Sequence, residues 1–146
     1  MPLTRTQHWA TCELDSHLRE HVKDIFQWGV NDCCMYPANA IQSFTGVDIA
    51  EDFRGKYHDE ASAFVLIKAI TGGTTVADAA AYCANKHGLH EYAYPLMAKR
   101  GDLVVIKNGD TLIAGVVHLN GRHVISVSQT GLVRLPITSV VRAWSV

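Results

Sequence analysis

Charge is scarce in this chain of 146 residues, where 13 Lys and Arg and 14 Asp and Glu amount to 18% against about a quarter in an ordinary soluble domain. So few charges imply a small exposed surface or one partly covered by a partner. Long apolar runs are missing too. Gly72, Gly73, Asp78 and Lys86 interrupt the most apolar region, so no stretch reaches the roughly 18 residues of a spanning helix and no membrane span is expected. A formal net charge of -1 leaves no basic stripe, which argues against nucleic acid as a partner. The segment from Met1 to Arg5 lacks the apolar core of a signal peptide, so synthesis and folding in the cytoplasm are expected. Cysteine is sparse, with only Cys12, Cys33, Cys34 and Cys83. They form no CxxC pair and no Cys/His ligand spacing, so neither a zinc site nor any other metal or cofactor is expected. Adjacent Cys33 and Cys34 are poorly placed for a mutual bridge, and free thiols are the expectation.

What is present is apolar side chains, 48% of the total, which excludes disorder. With no internal repeat, low-complexity tract or long linker, residues 1–146 read as one domain. Leu14, Leu18, Val22, Ile25 and Phe26 recur at helical spacing and predict a helix from Cys12 to Gln27, stopped by Gly29. Asp32 stands where an N-cap opens a second helix that runs to about Phe44 and stops at Thr45 and Gly46. Pro37 removes a backbone hydrogen bond there, so that helix either starts distorted or starts later than Asp32 suggests. A third helix is predicted from Glu60 to Ile70. A fourth opens on a capping box, Thr75 with Asp78, and runs to Lys86.

After Gly101 and Asp102 the pattern becomes strands: 103–107, 111–119, 123–128 and about 132–135. Asn108-Gly109 and Asn120-Gly121 are both two-residue hairpin signals. The second pairs Leu119 with Arg122, His118 with His123, Val117 with Val124 and Gly115 with Ser126. The predicted class is α+β, helices first and a small antiparallel sheet second.

Cys33 is the leading candidate for chemistry, because a thiol just after an N-cap lies in the positive end of the helix dipole, which favours thiolate. The competing reading is a buried structural cysteine. The motifs around it extend this. Trp28-Gly29-x-x-Asp32-Cys33, with Gly101-Asp102-Leu103-Val104-Val105 opening a strand, resembles the NlpC-type branch of papain-fold cysteine peptidases. Adding Cys34, Thr45-Gly46-x-Asp48, Arg54-Gly55-x-Tyr57 and Ala143-Trp144-x-Val146, the chain over residues 28 to 146 resembles small NlpC-like proteins encoded among bacteriophage tail genes. The resemblance implies a papain-like fold, a nucleophilic Cys33 after Asp32, a histidine on the second strand of the sheet and a third polar group on the next strand, acting on peptidoglycan peptides. It also implies a virion-tail location and other tail proteins, such as hub or distal tail proteins, as partners.

The chain departs from that pattern at the base, because Ile113 occupies the histidine position. The third polar position falls near Ser126. His118 and His123 are the remaining candidates for the base, but the hairpin register puts them on the face of Val116 and Ile125, opposite Ile113, and recruiting them would need a bulge. As a cross-strand pair they have no third metal ligand in view. His87 and His90 follow the fourth helix and read as a helix-end cap and a surface residue. Arg54 and Tyr57 are candidates for lining a substrate cleft, Arg54 also for a structural ion pair, and Trp28 for the cleft or for plain core. Two readings follow: a tail-tip or tail-assembly subunit that keeps the scaffold with catalysis lost or reduced, or an active cysteine peptidoglycan hydrolase used in genome delivery.

Overall fold

A computed structural model describes residues 3–146. Met1 and Pro2, the first residues of the segment read for a leader, lie outside the described residues. One π-helical turn, Trp9–Glu13, leads into α1 (Leu14–Glu20), followed by α2 (Met35–Thr45), α3 (Glu60–Thr71) and α4 (Val76–Lys86). The strands are β1 (His90–Glu91), β2 (Leu103–Asn108), β3 (Thr111–Val117), β4 (His123–Ser128), β5 (Gly131–Pro136) and β6 (Val140–Ser145). They form one antiparallel sheet in the order β1-β6-β2-β3-β4-β5. The class is therefore α+β. No single helix among the described residues is long and apolar enough to cross a membrane.

The first helix stops at Glu20, well short of the predicted Gln27. Val22 and Ile25 keep helical spacing but meet no core, being 49% and 79% exposed. The chain instead folds into a tight loop in which Gln27 and Asn31 exchange backbone hydrogen bonds of 2.9 and 2.8 Å. Gly29 is required in that loop, since its φ is +81° and a Cβ would lie 2.5 Å from the carbonyl oxygen of Tyr57. The second helix starts later than Asp32, at Met35. Pro37 then occupies the third helical position, in the first turn, where a proline is tolerated because an amide there has no partner within the helix proper. Both remaining helices begin where expected, α4 on the predicted Thr75–Asp78 cap and α3 on an unpredicted reciprocal cap of Asp59 with Ser62.

The sheet departs from expectation at its turns. Asn108 pairs with Thr111, so the β2–β3 turn is Gly109-Asp110. Only Gly109 has a positive φ there, which suits a turn with glycine at its first central position. The β3–β4 register is the predicted one, Val117 opposite Val124. The turn is wider, because Asn120 Oδ1 accepts from the amides of Arg122 and His123, and the expected Leu119–Arg122 pair does not form. Beyond Val116–Ile125 the regular pairing ends, so the predicted Gly115–Ser126 pair is absent, and Ser126 Oγ instead donates to the carbonyl of Ala114. β6, unpredicted, pairs with β2 and places Trp144 opposite Leu103.

Both sheet faces are buried by the chain itself. Leu103, Val105, Val116, Ile125, Val127 and Trp144 join the helices in the main core. Val104, Ile106, Ile113, Val117, Val124 and Ala143 form a second cluster.

One buried carboxylate locks the sheet to both ends of the described chain. Asp102, 1% exposed, accepts from Arg5 Nη2 (2.9 Å), Tyr92 Oη (2.7 Å), Lys99 N (2.8 Å) and Val146 N (3.0 Å). Arg5 also donates to the carbonyls of Arg100 and Val146 and lies 4.1 Å above the Trp9 ring. Removing one partner of a buried ion pair strands the other charge. Arg5→Ala is therefore expected to cost about 3 kcal/mol in urea unfolding; a loss below about 1 kcal/mol would show that Asp102 is held without it.

Candidate functional site

The start of α2, the loop around Trp28, the 49–57 segment, α3, α4 and the β2–β3 end of the sheet enclose a cavity of about 300 Å³. Cys33, Cys34 and Cys83 line it, with Trp28, Tyr57 and Ile113. Its walls are organised by Asp32, which is 1% exposed. One oxygen of its carboxylate, Oδ1, accepts from the amides of Cys34 and Met35, both at 2.9 Å, and the other from Gly29 N at 2.7 Å and from the Tyr57 hydroxyl. Asp32 thus caps α2 from outside the helix. The same bonds occupy the Cys34 and Met35 amides, donors that the dipole argument offers to a Cys33 thiolate.

Three further groups of the lining, Cys34, Cys83 and Tyr57, are held in their neutral forms. The Cys34 thiol is pushed well up by its hydrogen bond with Cys33, then by burial and by neighbouring charge. Burial raises Cys83 to about 12, with Asp52 and Asp48 adding to it. Burial also lifts Tyr57 far above an ordinary phenol, helped by Cys34 and Asp32.

The structure brings Cys33 and Ile113 together: both line the cavity and both belong to the second buried cluster. No histidine lines this cavity. His118 and His123 sit at the far end of the β3–β4 hairpin, where His118 Nδ1 accepts from Asn120 N at 3.0 Å and His123 Nδ1 lies 2.9 Å from Asn120 Nδ2. Burial lowers the pKa of His118, with Arg134 and His123 adding to it. Ser126 is fully buried and bonds to the carbonyl of Ala114, away from the cavity lining. Arg54 does not line the cavity either. It makes a two-point ion pair with Asp48 at 2.7 and 3.1 Å, holding the 48–54 turn. Trp28 and Tyr57 do line it, Trp28 packed edge-on against Phe26 with ring centroids 4.9 Å apart. His87 sits at the C-terminal end of α4, with Nε2 3.5 Å from Glu51, and His90 is exposed in β1. Among the described residues no group of three or more His, Cys, Asp and Glu could hold a metal ion.

Cys83 and Cys34 are the cavity residues that sequence reasoning left unplaced. The signal for Cys83 is the α4 stripe Val76, Ala79, Ala80 and Cys83, whose helical spacing turns it inward.

An α+β fold with a buried, thiol-lined cavity at the start of a helix thus defines the class of protein. Residues 4–146 match a family described as a domain of unknown function, DUF6950, and the chain belongs to that family. No curated protein and no solved structure matches it.

Tyr57 is the one side-chain donor to Asp32, reaching it across 25 positions of sequence. Tyr57→Phe is expected to lower stability by about 1–3 kcal/mol, the cost of leaving a buried acceptor short of a donor. An unchanged denaturation midpoint would contradict this assignment.

Proposed function

We propose that this protein is a bacteriophage tail-tip or tail-assembly subunit built on an NlpC-like, papain-type scaffold, in which hydrolytic chemistry has been lost and docking to other tail proteins kept. The observation that carries the loss of chemistry is Ile113, an isoleucine in the cavity with Cys33 where the resemblance calls for the base. A cysteine hydrolase needs an imidazole to take the thiol proton and to return a proton to the leaving amine. Of the groups buried in the lining, Asp32 already accepts four hydrogen bonds, and Cys34, Cys83 and Tyr57 are held protonated; the remaining carboxylate, Glu60, is exposed at the margin.

The scaffold reading is supported by the order of the elements. The thiol stands at the start of a helix packed on an antiparallel sheet, and a Gly-Asp turn opens β2. The virion setting rests on the shared run of motifs from Trp28 to Val146. Asp102 and Tyr57 show why two of those motifs suit a scaffold, since both residues hold the fold together.

The test is muropeptide turnover by the purified protein, alone and with neighbouring tail proteins, beside Cys33→Ala. No cleavage above background is expected from either form. Cleavage by the unmodified chain that disappears in Cys33→Ala would establish an active hydrolase and overturn the proposal.

A further inference from the structure

The cavity at Cys33 measures about 300 Å³ and opens to solvent on one side, where Glu60, Phe64, Thr111 and Gln129 are exposed. It is deep, for Met35, Ile49, Phe53, Ile67 and Ala80 all line it and all are buried. Its walls offer no charge to a ligand, because Asp32 is fully engaged by its four donors. The uncharged polar residues at its edge gather at one place. The β2–β3 and β4–β5 hairpins stay paired to their turns, through Asn108–Thr111 and Ser128–Gly131. Between them, β3 and β4 pair only at two positions. Asn108, Thr111, Ser128 and Gln129, at the turn ends of these two hairpins, line the cavity together. The one charged side chain at the margin is the exposed Glu60, which repels anions.

We propose that this cavity binds a neutral single-chain amphiphile, its hydrocarbon lodged between α2, α3 and α4 and its uncharged polar end among Asn108, Thr111, Ser128 and Gln129. A 150 Å³ apolar cavity accepts benzene, so twice that volume accepts a chain of about ten carbons. The depth favours a small molecule over an apolar side chain of a docked protein, which would reach only the mouth near Phe64. The inference rests on the non-hydrolytic reading in one respect: the ligand is held and not consumed.

The test uses 1-decanol and decanoate competing with the neutral fluorophore 1-aminoanthracene on the full chain. One decanol is expected to bind per chain, with decanoate weaker by about tenfold or more. Ala63→Leu and Ala80→Leu, which fill the cavity, are expected to weaken decanol by about tenfold at an unchanged or raised unfolding midpoint. Gln129→Lys, on an exposed turn, is expected to strengthen decanoate by about tenfold and leave decanol within about twofold. No saturable decanol binding, or equal binding by the filled variants, would overturn the site; so would a Gln129→Lys variant with unchanged decanoate affinity. Decanol binding alongside muropeptide cleavage would remove the non-hydrolytic reading and leave the site standing. No decanol binding alongside no cleavage would do the reverse.

Discussion

A buried carboxylate with no basic side chain among its hydrogen-bond partners must be met by oriented donors, and Asp32 is met by four of them from three segments of the chain. That requirement sets the geometry of the region. It draws the Gly29 loop against Tyr57, fixes the first amides of α2, and holds the 49–57 segment over the start of that helix. Cys33 stands in the middle of this frame. The frame that positions the thiol therefore also occupies the local donors that would stabilise its anion. A second carboxylate, Asp102, plays the matching role at the sheet, with Arg5 and the amide of Val146 as partners. Acidic residues of two motifs thus serve as internal fasteners.

The scarcity of charge has its physical account in the sheet. An antiparallel sheet with one wet face alternates apolar and polar residues, whereas one covered on both sides reads as nearly continuous Val and Ile. β2 and β3 are of the second kind, with Leu103 to Ile106 and Ile113 to Val117 all buried. The strand that completes this arrangement is β6, which lies beside β2 and brings Trp144 under the helices. Little charge is needed on elements that meet no water.

Local chemistry was legible in the sequence and long-range pairing was not. The Thr75–Asp78 cap, the stops at Gly46 and Gly72, and the Val117–Val124 register all follow from residues a few positions apart. The end of α1 was misread because Val22 and Ile25 keep the helical period while lacking a surface to pack on. The Asn108-Gly109 signal misplaced its turn by one residue, since the backbone uses Gly109 with Asp110. β6 carries no turn motif that names β2 as its neighbour, and its bulge between positions paired with Val105 and Ile106 blurs the alternation. At the site, the placement of Cys33 with Ile113 and Trp28 was legible from the motif order. The engagement of Arg54 by Asp48, the arrival of Cys83, and the early end of the β3–β4 pairing depend on tertiary packing.

This division matters for the proposed function, which turns on the residue that shares the cavity with Cys33. Thiol, helix start, capping carboxylate and sheet come together here, and under the proposed reading Ile113 stands where the resemblance places the base. The most direct measurement is the distance from Cys33 Sγ to the nearest imidazole nitrogen in a crystal structure of the purified protein in its assembly. The account predicts none within about 4 Å, the outer limit for a resting nucleophile and base. A histidine inside that distance, from this chain or a neighbour, would contradict it.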